Sequence, residues 1–289
     1  MVVFARVVEE GSFSGAARAL GYSRAAVSKQ IAGLERQVGA QLLNRTTRKM
    51  SLTEIGSEFY ARCARIAHEV EEAERVVSAM RGKPAGLLRI ACPMDFGRTH
   101  VATVIPQFLA KYSEVRVQLA MSDQQADLVN DRCDLAIRVT TSFDEASFVA
   151  RRLATVHQIV CGSPAYLQAR GTPQGVKELG QHSCLVYTIA RTPDVWRFGG
   201  DLSVRVSGPL SANNGAALCR AALAGIGLVQ LPTFLVREEL ASGSLVRVLR
   251  EFEPDPLGVF ALYPRNRMLA PKVAAFIDFL ASQDLDERS

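Results

Sequence analysis

Residues 13–32, FSGAARALGYSRAAVSKQIA, read as two short helices joined by a tight turn. Phe13, Ala16, Ala17 and Leu20 recur at helical spacing and give the first helix one apolar face. Ser14 is placed to cap it, and Gly21 to end it, because glycine adopts the left-handed backbone of a C-cap. Ser23 is a candidate cap for the second helix. Along that helix Val27, Ile31, Leu34 and Val38 recur at helical spacing, which predicts one buried stripe ending at Gly39. Away from the stripe lie Ala25, Ser28, Lys29 and Arg36, flanked by Arg24 and Gln30.

Two helices around a glycine turn, the second offering small and basic groups near its start, form the pattern of a helix-turn-helix. Small residues such as Ala25, Ala26 and Ser28 let such a helix approach a major groove closely, and long donors reach bases or phosphates. The residues assigned to DNA contact on this helix are Ser23, Arg24, Ala25, Ser28, Lys29 and Gln30. A helical hairpin inside an ordinary core is the competing reading. Charge separates the two. Residues 1–53 hold eight Lys or Arg and three Glu, so the whole net charge of +5 falls in the segment that carries the motif.

The run EEGSFSGAARALGYSRAAVSKQIAGLERQVGAQLLNRTTRKMSLTEIG resembles the N-terminal domain of LysR-type transcriptional regulators. The matching pieces are GSFSGAARAL, the AVSKQI run, the leucine and glutamate of GLE, the GAQLLNRTTR wing and LTEIG, all in one order. The resemblance implies an N-terminal winged helix-turn-helix, a long linker helix and a two-lobed, periplasmic-binding-protein-like α/β effector domain. It also implies promoter DNA as partner, a small-molecule effector, a homodimer assembling to a homotetramer, and a cytoplasmic location, and it leaves RNA polymerase open as a further partner. Family members carry residues ahead of Met1, so the first helix is expected to be slightly short.

Taken in order, the chain gives expected boundaries at 1–53 for the DNA-binding domain, 54–81 for the linker helix, 82–86 for a hinge and 87–289 for the effector domain. Met1 to Glu10 reads as the first helix. Beyond Gly39, two short apolar segments flank a basic tip, the description of a wing whose cations suit phosphates or a narrow minor groove. Arg45, Thr47, Arg48 and Lys49 are the candidates there, and the resemblance favours Arg48 for the groove. Ser51 or Thr53 caps the next helix, with Ser51 and Glu54 matching a capping box. Phe59, Cys63, Ile66, Val70, Ala73, Val77 and Met80 then alternate spacings of four and three, a heptad seam that predicts dimerisation. Packing of that seam on the chain's own effector domain is the alternative. Gly82 to Gly86, with Pro84 between, breaks the helix.

From Leu87 strands and helices alternate, which predicts parallel α/β sheets. Lobe I is expected at about 87–152 and 257–289, with Val259 to Tyr263 returning to it and a closing helix from Pro271 to Ala281. Lobe II is expected at about 153–256. The stretches ANNGAALCRAALAGIGLVQLP and SPAYLQARGTP suggest the CrgA-like branch of the family. Ligands in such folds sit between lobes, at strand ends and helix N-termini, where free N–H groups favour anions. The candidates are Pro93, Met94, Asp95 and Phe96, then Arg138, Val139 and Thr140, then Asn213, Asn214 and Gly227. Many relatives carry a hydroxyl near Asp95. A carboxylate cannot donate to an organic acid, which favours an amine-bearing or neutral ligand. Asp95 as a cap of the helix that follows, and the two asparagines as simple caps, remain the plain alternatives.

Other chemistries find little support. The six cysteines form no C-x-x-C and read as reduced thiols, with a redox-sensing pair known in some family members as the other option. Ser163, in CGSPAY, lacks a nucleophile elbow, the four histidines have no metal or triad spacing, and Asp131 and Asp134 read as solvated turn residues. No enzyme activity, metal or cofactor is expected. No apolar run suits a membrane and no signal peptide is evident. That counts against the competing class, a periplasmic-binding-protein-type receptor acting without DNA.

Overall fold

The computed structural model describes residues 1–45, 50–66, 82–123, 133–141, 148–190, 192–199, 202–265, 269–283 and 285. The chain divides after Gly82, into Met1–Gly82 and Lys83–Ser289.

The first unit opens with α1 (Val2–Glu9), α2 (Phe13–Leu20) and α3 (Arg24–Val38). A two-stranded wing, β1 (Leu43–Arg45) against β2 (Met50–Leu52), is antiparallel, and α4 follows over residues 54–66. Phe4, Val7, Ala16, Ala17, Val27, Ile31, Leu42 and Leu43 form its core. Gly21 and Gly39 end their helices at φ +69° and +68°, as the sequence predicts. One expected cap is displaced, and at α4 one of the two alternatives is taken. Ser12, not Ser14, caps α2, its Oγ accepting from the Gly15 N–H at 3.0 Å. Ser14 already lies inside the first turn. Thr53 caps α4, accepting from the Gly56 N–H at 2.9 Å, while Ser51 is held in β2, so the Ser51–Glu54 box does not form. The buried stripe of α3 also fades earlier than its spacing suggests, since Val38 is exposed.

The start of the linker seam is used differently from expectation. Phe59 packs against the head's core, its ring 5.8 Å from that of Phe4, and Cys63 is fully buried there. Cys63 has no surface left for a partner helix and is corrected to a head-core residue, whereas Phe59 is half-buried against that core. A heptad pattern marks an apolar face but does not say what covers it. Ile66 is exposed, and Val70, Ala73, Val77 and Met80 lie outside the described residues.

The second unit contains two five-stranded sheets. Lobe I has the order β4 (Val115–Met121), β3 (Gly86–Cys92), β5 (Leu135–Thr140), β14 (Leu257–Pro264), β6 (Phe148–Val156). Lobe II has the order β11 (Ser211–Ala212), β8 (Cys184–Tyr187), β12 (Leu228–Pro232), β7 (Gln158–Gly162), β13 (Val246–Val248). A separate hairpin pairs β9 (Val195–Phe198) with β10 (Leu202–Arg205). The expectation of parallel sheets holds for β3, β4 and β5 and for β8, β11 and β12. It fails where the chain changes lobe, because β14 runs antiparallel to both β5 and β6, and β7 antiparallel to β12 and β13. The crossing point shifts as well. β6 pairs with β14 from Phe148 to Val156, with a bulge at Leu153, so lobe I extends through Val156 instead of ending at about 152, and His157 alone separates β6 from β7. No glycine or proline lies between Val149 and Cys161 to mark that change of sheet. Asp131, read above as a turn residue, lies outside the described residues.

Helices cover the sheets. A short α5 (Met94–Phe96) leads through a π turn (Gly97–Val101) into α6 (Ala102–Lys111). With α10 (Pro271–Ala281) it buries Phe108, Phe276, Ile90, Ile137 and Val259 in one core. In lobe II, α7 (Pro164–Arg170) and α8 (Gly215–Leu223) lie against its sheet. Asp134 is not a solvated turn residue. It is buried, accepts the Arg89 N–H at 3.0 Å, and pairs with Lys272 of α10 at 3.0 Å. The Lys272 ammonium also donates to the Leu87 carbonyl. Removing one partner of a buried ion pair strands the other charge. Lys272→Ala is therefore expected to destabilise the second unit by about 3–5 kcal/mol. Urea unfolding followed through Trp196, the single tryptophan of the chain, measures this.

Candidate nucleic-acid interface and inter-lobe cleft

On α3 the Ser23 Oγ accepts from the Ala26 N–H at 3.1 Å and leaves its own proton for an outside acceptor. Val27 and Ile31 face the core, whereas Arg24, Ala25, Lys29 and Gln30 are exposed and Ser28 is half-buried. At 100° per residue, Arg24, Ser28, Ala25 and Lys29 share an arc of roughly 140°, extended one turn on by Ala32 and Arg36. Gln30 lies outside that arc, on the flank beside the core. The first turn of α3 thus presents cations around small residues, the shape a groove-entering helix needs.

A residue that the sequence reading quoted without a role, the glutamate of GLE, holds the wing. The Glu35 carboxylate accepts from the Leu42 and Leu43 N–H groups at 3.0 and 3.2 Å, tying β1 to the end of α3. Gly56 completes the joint, since a Cβ there would overlap the Leu42 carbonyl. Of the wing candidates, Arg45 ends β1, while Thr47, Arg48 and Lys49 lie outside the described residues.

In the second unit the inter-lobe cleft forms where strand ends of both lobes converge. Asp95, in α5 just after β3, is only 7% exposed. It does not cap its own helix. Its Oδ2 reaches the other lobe and accepts from the Ala216 N–H at 3.3 Å, in the first turn of α8, with the Gly215 N–H also directed at it. Asn214 caps the same helix, accepting from the Ala217 N–H at 3.0 Å, and Asn213 beside it is exposed. Asp123, after β4, accepts the Met94 N–H at 2.8 Å and so orients the turn that carries Asp95. Gly97 lets that turn sit on the sheet, because a Cβ there would crowd Cys92 and Met121. Next to this polar contact is an apolar one. Phe96 stacks on His100 at 4.5 Å, and Phe234 of lobe II meets both rings edge-on at 5.7 and 5.3 Å.

The remaining cleft candidates separate by geometry. Along β5, Val139 packs into the lobe I core, so Arg138 and Thr140 face the opposite way and the three cannot line one wall. Met94 is exposed, Pro93 half-buried. Gly227 is corrected. It precedes β12, at the far end of that strand from the cleft, where a Cβ would overlap the Ser183 carbonyl. Asp123, Tyr187 and Phe234 were missed, although each follows or ends a strand, the rule that located Asp95.

Burial raises the Asp95 carboxyl above the usual carboxylate range, reinforced by Asp123 and opposed by the Ala216 and Gly215 N–H groups and Arg98. Burial likewise pushes the Tyr187 phenol up, with Asp123 and Asp95 adding to it. All six cysteines are buried. Burial pushes Cys133 and Cys219 up to about 11, and Cys92, Cys161 and Cys184 up to about 12. Thiols held protonated in this way lack the thiolate that redox sensing uses.

A winged helix-turn-helix joined to a two-lobed α/β receptor unit defines a regulator that reads DNA with one unit and a small molecule with the other. The chain belongs to the LysR family. Residues 1–57 match the bacterial regulatory helix-turn-helix protein of the lysR family, and residues 81–284 match the LysR substrate binding domain. It is 36% identical to the transcriptional regulator PtxR of Pseudomonas aeruginosa, over 97% of this chain and 90% of PtxR. Among solved structures it matches CrgA, a LysR-type regulator from Neisseria meningitidis, at 34% identity and a TM-score of 0.62, covering 96% of each chain. It also matches the full-length Vibrio cholerae virulence activator AphB, at 28% identity and a TM-score of 0.67, covering 98% of each. The protein is a DNA-binding transcription regulator with an effector-binding domain, and not an enzyme.

The raised Asp95 value has a signed consequence. A carboxyl whose folded value lies above its unfolded one stabilises the fold below the unfolded value, and loses that contribution as pH rises through the folded value. The wild type is therefore expected to lose stability relative to Asp95→Asn as pH climbs from the ordinary aspartate range, about 3.9, through the raised value. Urea midpoints read through Trp196 test this, and the opposite trend would mean that the α8 donors outweigh burial.

Proposed function

We propose that this chain binds its operator through Arg24, Ala25, Ser28 and Lys29 of α3, with Ser23 and Gln30 flanking and Arg45, Thr47, Arg48 and Lys49 of the wing on the adjacent groove and backbone. The observation that carries this reading is the coincidence of one exposed arc of α3 with the part of the sequence holding all of the net positive charge. The linker helix dimerises the chain through Ile66 and the seam beyond it, and dimers pair into a tetramer. A small molecule between Asp95, Phe96, Arg138, Thr140 and the start of α8 shifts the placement of the DNA heads by binding one arrangement more tightly. The setting is the cytoplasm, with RNA polymerase as a downstream contact. No described helix is long and apolar enough to cross a membrane, which fits that setting.

The test is binding to the DNA upstream of the protein's own gene, against random DNA, across a salt series. A strong preference with a steep salt slope is expected. Absence of binding at low salt would overturn the reading. Lys29→Ala should reduce the preference by about 1–3 kcal/mol, the worth of a base contact. Equal weakening on both DNAs would reassign Lys29 to a phosphate.

A further inference from the structure

The N-terminus of α8 has the features of an anion site, and it is occupied from within. Asn214 satisfies the Ala217 N–H, and the Gly215 and Ala216 N–H groups point at the Asp95 carboxylate of the other lobe. That carboxylate is 7% exposed, and a Cβ on Gly215 would stand 3.1 Å from its Oδ2, so the fit is close. Two backbone donors at a helix start are the groups that would hold a ligand carboxylate or phosphate. Here a side chain fills the position, and Asp123 places a second carboxylate behind it, at the Met94 N–H.

We infer that Asp95 is a built-in anion that determines effector charge: it ties lobe I to α8 and bars anionic ligands from the position they would otherwise take. This rests on the cleft being the effector site. An incoming carboxylate must displace Asp95 and then sit beside two like charges. A neutral or cationic molecule meets no such barrier, and a cation gains from the same two carboxylates. Asp95 thus sets specificity by exclusion.

The test is calorimetric titration of the full-length protein with sodium sulfate, against sodium chloride at matched ionic strength. The variants are Asp95→Ser, which vacates the helix end, and Asp95→Asn, which keeps the shape without the charge. Saturable sulfate binding is expected in Asp95→Ser, at least tenfold tighter than in the wild type, with Asp95→Asn in between. Adding Ala216→Pro removes one donor at a helix position that tolerates proline, and should abolish the gain. The inference is overturned if the wild type binds sulfate as tightly as Asp95→Ser, if neither variant gains binding, or if the gain survives Ala216→Pro. The same proteins are then titrated with operator DNA, with and without sulfate. Sulfate binding that leaves operator affinity unchanged would keep the built-in anion and overturn the cleft as the effector site.

Discussion

A carboxylate from one lobe resting on the first turn of a helix in the other is the contact around which the receptor unit is arranged. It exists because several constraints agree. β3 ends at Cys92, Asp123 holds the Met94 N–H, and Gly97 allows the following π turn to lie on the sheet. Together they aim Asp95 outward from lobe I. On the other side, β11 delivers Asn214 and Gly215 to the same place, and the absence of a Cβ at 215 leaves room for the carboxylate. The Phe96, His100 and Phe234 rings close the seam beside it. Polar and apolar contacts thus sit on one turn, where a change in the pair reaches both lobes.

The two units use helix starts in contrasting ways. α3 is capped locally by Ser23, and its first turn carries Arg24 and Ala25 into the open. Its donors and cations remain directed outward, as a helix meeting phosphates requires. α8 is capped locally by Asn214 and then again from a distance by Asp95. The head is built to meet an external anion, and the receptor carries its own.

Local features of the fold were readable in the sequence because they depend on nearest neighbours. Gly21, Gly39 and Ser23 do what their residue types allow at a helix end, and Val27 and Ile31 follow helical period into the core. What failed depends on pairing at a distance. Cys63 belongs to the heptad by spacing yet is consumed by the head's own core, which sequence period cannot reveal. The switch from β6 to β7 occurs at His157 with no glycine or proline beside it, so no turn signal marks the crossing. Asp134 looks like half of an acidic turn until Lys272, far along the chain, is folded onto it. Asp95 was recognisable as a strand-end residue, but its partner lies 121 residues away. Gly227 was misread because a glycine near a ligand and a glycine under a neighbouring strand look alike in one dimension.

The most direct measurement of this account is amide hydrogen exchange at Gly215 and Ala216 in the full-length protein, wild type against Asp95→Ser. The carboxylate contact predicts that both amides are protected in the wild type and lose that protection in the variant, while Ala217, held by Asn214, stays protected in both. Unchanged exchange at Gly215 and Ala216 would contradict the bridge between the lobes.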